Sequence, residues 1–312
     1  MNKKVAIIGS GPAGLTAAIY LSRASVDTYV YLGDRAGGQL TQTSEIENFP
    51  GFVHGINGGE LMSNMMKQAQ RFGAKLVSSV VNQVRIENET IFVETGDQYS
   101  DTFDAIIVAT GSTPKYLGVK DEEKYLGLGY HTCATCDGFF YKDKTVAVVG
   151  GGDTAMEEAS YLSNLAKKVY LIHRSEKFKA SKIMLDKCKS ISNIEFLTNK
   201  IVIGFLSDND DFKGLMLTQT DIPFTKATRE DLPIDGVFVA IGHTPNIDPV
   251  KNILNVTELG YLKPINRTMS SIPGIFIAGD VGDDQYRQAI TAAGDGCKAA
   301  IDCDRWLNIK TK

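Results

Sequence analysis

Val5-Ala6-Ile7-Ile8-Gly9-Ser10-Gly11-Pro12-Ala13-Gly14 runs an apolar strand directly into a G-x-G-x-x-G turn, and Leu15 to about Arg23 continues as a helix. Strand, glycine turn and helix in that order make a seat for a pyrophosphate. The glycines permit a tight turn and close backbone approach, and the unpaired N–H groups at the helix N-terminus attract an anion. A second apolar strand, Thr28 to Leu32, follows. Asp34 then stands about 20 residues beyond the glycines, where an acid can accept hydrogen bonds from a ribose diol.

The unit recurs. Thr145-Val146-Ala147-Val148-Val149 leads into Gly150-Gly151-Gly152-Asp153-Thr154-Ala155, a helix through about Leu165, and a strand Val169-Tyr170-Leu171-Ile172. His173 and Arg174 close that strand, with Lys177 and Lys179 just behind. A cation at this point suits a 2′-phosphate, as an acid suits a free 2′-hydroxyl. One glycine motif alone is weak evidence, because a ligand-free turn is spelled the same way. Two copies with opposite charge at the ribose position predict two different dinucleotides, one of them phosphorylated.

Three further apolar runs end in glycine: Ala105–Gly111, Gly236–Gly242 and Gly274–Gly279, the last followed by Asp280. They read as buried parallel strands, and Asp280 falls at a strand's carboxyl edge, where open α/β sheets bind ligands. Gln83 to Thr102 and Ile194 to Thr225 alternate apolar and polar residues and read as antiparallel strands added to each unit. The stretch from Tyr261 onward has no counterpart in the second copy and is expected to complete the first domain. The fold class is therefore α/β, with two Rossmann-like FAD/NAD(P)-binding domains, the second inserted in the first, each with an antiparallel β layer. The expected boundaries are 1–114 plus 243–312 for the first and 115–242 for the second.

Composition supports this and narrows the partners. The 312 residues are 43% hydrophobic and 22% charged, ordinary for two globular cores. A formal charge of −4 argues against nucleic-acid or anionic-membrane binding. Met1-Asn2-Lys3-Lys4 leads straight into an apolar stretch cut at Gly9, unlike a signal peptide, so the expected setting is soluble and cytoplasmic.

Five cysteines, an odd number, argue against a disulfide scaffold. Cys188, Cys297 and Cys303 fall in helix-like segments and read as small buried hydrophobes. Cys133-Ala134-Thr135-Cys136 is a C-x-x-C pair followed by Asp137 and Gly138. Such a pair offers one reactive thiolate and one resolving thiol, and Asp137 could carry a proton to a leaving thiolate. Asp137 also reads as a plain turn carboxylate before Gly138. A zinc half-site would need two more ligands, and only His131, read as a loop residue, lies near, so no metal is expected. A hydride from NADPH on the second unit, taken up by FAD on the first and passed to the dithiol, completes an electron path.

The segments Gly9–Gly14, Cys133–Gly138, Gly150–Ala155 and Gly274–Ala289 together resemble the low-molecular-weight thioredoxin reductases, over essentially the whole chain. Gly37–Thr41, Glu45–Gly51 and Tyr286–Ile290 add to the match. The resemblance implies a homodimer acting on thioredoxin. It implies FAD contacts at Gly9, Ser10, Gly11, Ala13 and Gly14, along Leu32, Gly33, Asp34, Arg35, Ala36, Gly37, Gly38 and Gln39, and at Asn48, Thr110 and Gly111. Further FAD contacts lie along Asp280 to Ala289, including Arg287 and Gln288, with Asp280 reaching the ribityl chain. NADPH contacts are implied at Gly150, Gly152, Asp153, Thr154, Ala155, His173, Arg174 and Lys179. Cys136 would face the flavin, Cys133 would attack thioredoxin and Asp137 would act as acid–base.

Three positions depart from the family. Its usual His-Arg-Arg-x-x-Phe-Arg reads His173-Arg174-Ser175-Glu176-Lys177-Phe178-Lys179. Gly127–Thr132 lacks an arginine many members carry, and Leu32 stands where many have an acid. A flavin-dependent dithiol oxidase without nicotinamide is the alternative enzyme. A reductase of a hydroperoxide system would carry a further N-terminal redox domain, and a flavin-loaded sensing protein is the reading from another class.

Overall fold

A computed structural model describes residues 3–43, 45–96, 100–222 and 228–310. Met1 and Asn2 of the N-terminal reading, and residues 97–99 and 223–225 of the two antiparallel stretches, lie outside the described residues. The chain divides into two compact units, Met1–Thr113 with Thr244–Lys312, and Pro114–His243.

The chain opens with β1 (Lys4–Ile8), α1 (Pro12–Arg23), β2 (Asp27–Tyr31), α2 (Gly58–Arg71) and β3 (Lys75–Val77). Then come β4 (Val81–Glu87), β5 (Thr90–Thr95), β6 (Ser100–Phe103), β7 (Ala105–Val108) and β8 (Ser112–Pro114), within which it passes to the second unit. That unit supplies β9 (Tyr130–His131), α3 (Ala134–Asp137), β10 (Thr145–Val149), α4 (Asp153–Ser163), β11 (Lys168–His173) and α5 (Lys182–Lys189). It continues with β12 (Ile194–Thr198), β13 (Lys200–Asp208), β14 (Asp211–Gln219), β15 (Glu230–Pro233) and β16 (Gly236–Val239). The return through β17 (His243–Pro245) ends with β18 (Ile275–Ile277) and α6 (Ala289–Lys310).

In the first unit the parallel sheet runs β18-β7-β1-β2-β3. Its strands are apolar on both faces because both faces are covered. Val5, Ile7, Val30, Ile107 and Phe276 point into a core shared with α1, α2 and α6. Their neighbours Ala6, Ile8, Tyr31, Ile106 and Ile277 point into a second core under the antiparallel β4-β5-β6 layer. α1 begins at Pro12, whose missing N–H costs nothing at that position. Gly296 lets α6 lie directly on it: a Cβ there would come 2.8 Å from the Ala13 carbonyl carbon.

The second unit repeats the plan. Its parallel sheet runs β12-β11-β10-β16-β9, with Val146, Val148, Leu171 and Phe238 facing α4 and α5. Ala147, Val149, Ile172, Val237 and Val239 face the antiparallel β13-β14-β15 layer. Two details differ from the sequence reading. Ile194–Thr198 is not part of the antiparallel layer but pairs parallel with β11, in register from Val169↔Ile194 to His173↔Thr198. His131 is not in a loop: Tyr130 and His131 form the fifth strand, parallel to β16. Where the first unit takes that edge strand from β18, late in the chain, the second takes it from the residues just before the cysteines. Among the described residues no helix is long and apolar enough to cross a membrane.

Candidate active site

β9 ends at His131, and two residues later Cys133 stands in extended conformation as the N-cap of the single turn α3. That turn brings Cys136 back over Cys133, because residues three apart in a helical turn share a face. The two are joined as a disulfide, with Cα atoms 5.4 Å apart. Asp137 closes the turn, its N–H donating to the Cys133 carbonyl at 3.2 Å. Its carboxylate does not serve the turn: Oδ2 lies 2.8 Å from His131 Nδ1. On the other side His131 Nε2 lies 2.6 Å from the Tyr141 hydroxyl. The imidazole lies on the Phe238 ring at 5.1 Å and 25°. Burial pushes the Tyr141 phenol up, and the charges of Asp137 and Asp235 push the same way. Phe139 and Phe140, directly after this cluster, are exposed. Cys188 and Cys303 are buried and Cys297 half-buried.

In the first unit the glycine turn has the shape its sequence requires. Gly9 is at φ +111°, and a Cβ on Gly14 would collide with the Gly9 carbonyl. Ser10 ties this turn to the next loop, its hydroxyl donating to the Leu32 carbonyl at 2.8 Å and accepting from the Gly37 N–H at 2.9 Å. Gly38 then lies against Gly11, where a Cβ would be 3.4 Å from the Gly11 Cα. Gly33 leads into Asp34, Arg35 and Ala36, which are exposed at the rim. The Gln39 amide donates to the Ser112 carbonyl. Asn48 reaches the Gln288 side chain at 3.4 Å, joining two segments far apart in sequence.

Asn246, which the motif reading passed over, holds the turn after β7: its side chain donates to the Thr110 carbonyl at 3.0 Å and its N–H to the Gly111 carbonyl at 2.9 Å. Asp283, also missed, gathers the N–H groups of Gln285, Tyr286 and Arg287 at 2.8–3.0 Å and so shapes the turn before α6. Its signal was an Asx pattern, Asp followed by backbone donors two residues on. Arg287, at φ +47°, is bonded to the Asp284 carbonyl, and Ala289 opens α6. Asp280 sits in the turn after β18 with its carboxyl pushed up to about 6, chiefly by burial, further by Asp283, with Arg287 opposing.

These residues fit a dinucleotide. The N-terminus of α1 has no side-chain cap, a Cβ on Gly11 or Gly33 would meet open space, and the buried Thr110 hydroxyl has no partner among the described residues.

The second turn is built alike but differently anchored. Gly152 is the uncapped N-cap of α4, followed by Asp153, Thr154 and Ala155, and the Asp153 carboxylate accepts the Ser181 N–H at 2.7 Å. The Gly151 carbonyl accepts from Lys179 and Ala180, at 2.8 and 3.0 Å. His173 stacks on Phe178 at 4.8 Å and covers Gly151. Arg174 is exposed, its own carbonyl held by the Thr220 hydroxyl at 2.7 Å, and Lys177 and Lys179 are exposed beside it. An uncapped helix N-terminus flanked by these cations fits a phosphorylated dinucleotide.

A family model described as pyridine nucleotide-disulphide oxidoreductase matches residues 3–296. Among similar proteins, glucosaminate ammonia-lyase of Pseudomonas fluorescens is 46% identical, across 98% of this chain and 96% of its own length. Thioredoxin reductase of Buchnera aphidicola subsp. Acyrthosiphon pisum is 46% identical, across 98% of each. The solved structure of thioredoxin reductase from Giardia duodenalis is 36% identical and superposes with a TM-score of 0.91, covering 98% of this chain and all (100%) of that one.

Proposed function

The chain belongs to the pyridine nucleotide-disulphide oxidoreductase family, and from that premise we propose that it is a thioredoxin reductase. It is an NADPH-dependent flavoprotein disulfide oxidoreductase, with FAD and NADPH as cofactors. When bound, FAD relays the electron pair of NADPH to the disulfide. The observation that carries the reading is the Cys133–Cys136 disulfide on one helical turn with Asp137, in a unit that also holds the turn at Gly150–Ala155.

The remaining chemistry belongs to the chain's own residues. Reduction of the disulfide takes two electrons and two protons and leaves two thiols. The Cys133 thiolate attacks the thioredoxin disulfide, forming a mixed disulfide and releasing one thioredoxin sulfur. The Cys136 thiolate then attacks Cys133, releases the second thioredoxin sulfur and restores the internal bond. Asp137 takes protons from the enzyme thiols and returns them to the departing sulfurs. The exposed rings of Phe139 and Phe140 offer a protein substrate an apolar landing beside the sulfurs.

The assignment of FAD to the first unit rests on the fit of Gly9–Gly14, Gly33–Gln39, Thr110 and Asp280. That of NADPH to the second rests on Gly150–Ala155 with His173, Arg174 and Lys179. A cytoplasmic homodimer completes the reading: three cysteines kept free suit a reducing compartment. The Pseudomonas relative is named a glucosaminate ammonia-lyase, and the Cys133–Cys136 disulfide favours the reductase reading.

One experiment tests the whole. NADPH added anaerobically to the yellow protein should bleach the flavin, and added thioredoxin should then be reduced. Flavin that stays yellow, or ammonia released from glucosaminate in place of thioredoxin reduction, would refute the reading.

A further inference from the structure

His131 is an unusual group to bury beneath a redox disulfide. Its side chain is 5% exposed, that of Asp137 21%, and each ring nitrogen has one partner: Asp137 Oδ2 at 2.8 Å and the Tyr141 hydroxyl at 2.6 Å. Packing alone does not call for an imidazole here. A phenyl ring would lie on Phe238 as well, and burying an imidazole costs free energy unless both nitrogens are satisfied. Burial pushes the Tyr141 phenol up, so its O–H stays on and faces Nε2. A tautomer with its proton on Nδ1 satisfies both partners, the phenol donating to Nε2 and Nδ1 donating to the carboxylate. Tyr141 and Asp137 thus hold the imidazole from both sides, and His131 in turn holds one oxygen of Asp137. Oδ2 is the carboxylate oxygen engaged by the imidazole.

We propose that His131, held by Tyr141, is a positioning residue for Asp137 and shares the proton that Asp137 moves during dithiol exchange. The inference rests on Asp137 being the acid–base group. A proton leaving an enzyme thiol is taken up by the Asp137–His131 pair, and the same proton passes to the departing thioredoxin sulfur, so the pair ends as it began. The other ionisable groups around the ring are few. Asp235 acts on Tyr141 through its charge, and the Lys144 ammonium lies 5.2 Å from the centre of the Tyr141 ring. From β16 the Phe238 ring stacks on the imidazole.

The test is kcat of the FAD-loaded enzyme with the host thioredoxin across a range of pH, for His131→Phe, His131→Asn, Tyr141→Phe and Asp137→Asn. Flavin bleaching by NADPH is followed in each as a check on folding and cofactor binding. His131→Phe should lower kcat about tenfold, the low end of what loss of an orienting partner costs. His131→Asn, which keeps an N–H donor near the Nδ1 position, should recover most of that rate but lose one titration from the pH profile. Tyr141→Phe should move that titration. If Asp137→Asn is slow while His131→Phe keeps both rate and profile, the inference is overturned and the acid–base role of Asp137 stands. If Asp137→Asn keeps the parent rate, that role fails and the inference with it. Should His131→Phe not fold, a His131→Asn profile identical to the parent's overturns the inference by itself.

Discussion

The His173 ring occupies the space where a side chain on Gly151 would be: a Cβ built there comes 2.6 Å from Nε2 and closer still to Cε1 and Nδ1. The middle glycine of the second turn is thus demanded by a residue at the end of the following strand, not by the turn itself. Gly151→Ala must push the ring off Phe178, on which it stacks at 4.8 Å, and disturb the carbonyl that holds Lys179 and Ala180. The expected outcome is a rise of about tenfold in KM for NADPH, on the order of 1.4 kcal/mol of binding, with FAD content unchanged. Steady-state kinetics against NADPH, with an absorbance spectrum of the purified variant, check both parts.

Arg174 stands exposed beside the same turn, next to a serine and two lysines. A guanidinium can bind a phosphate through two parallel hydrogen bonds, and NADH has no 2′-phosphate to receive them. Arg174→Ala should therefore raise KM for NADPH by about 10-fold or more, as losing a charge-assisted contact of about 1.5–3 kcal/mol would, and leave KM for NADH nearly unchanged. Equal effects on the two would show that Arg174 does not read the phosphate.

Cys136→Ser leaves Cys133 as a lone thiol that cannot be resolved. The variant should keep its FAD and accept hydride from NADPH, yet turn over no thioredoxin and accumulate as a mixed disulfide through Cys133. Mass spectrometry after exposure to oxidised thioredoxin identifies that adduct. Sustained thioredoxin reduction by the variant would remove Cys136 from its role.

What the sequence disclosed and what it hid follow from the range of the forces involved. Both glycine turns, and the strands around them, were readable because their constraints are local: period, punctuation and helix start lie within a few residues. Ile194–Thr198 was misread because its alternation is common to either kind of strand, and only its partner β11 decides that it runs parallel. His131 was misread for a related reason. Two residues are too short to show a period, and the burial of Tyr130–His131 comes from pairing with Val237 and Phe238, far along the chain. The bond from His131 to Asp137 spans only six positions, but nothing in the spacing announces it once His131 is taken for a loop residue. Asn246 acts on backbone groups, which carry no sequence signature of their own, and Asp283 was legible only as an Asx turn.

The three cysteines outside the pair should differ sharply in reactivity. Burial pushes the thiols of Cys303 and Cys188 up, so neither presents a thiolate near neutral pH, and both side chains are shut from reagent. Alkylation of the native, reduced protein should mark Cys133 and Cys136 first and the half-buried Cys297 slowly. Cys188 and Cys303 should remain unmarked until denaturant is added. Peptide mapping at successive times reads the order directly, and early labelling of Cys303 would contradict it.

Asp280 gives the fold a pH dependence of definite sign. Its carboxyl ionises at about 6 in the folded chain against 3.8 for the unperturbed group, chiefly because burial disfavours the anion. Between these values the folded state binds more protons than the unfolded one, so stability falls as pH rises through that window. The cost is absent below about 3.8 and complete above about 6, where a shift of about two units amounts to about 3 kcal/mol at most. Asp280→Asn removes the charge and keeps the shape. Measured on protein freed of FAD, the variant should melt several degrees above the parent at pH 7.5, and the gap should close as pH is lowered toward 4. Carboxylates remote from Asp280 contribute equally to both proteins, so the difference reports Asp280 together with its neighbours Asp283 and Asp295. A gap that stays constant with pH would mean that the gain comes from packing, and that burial does not raise the carboxyl.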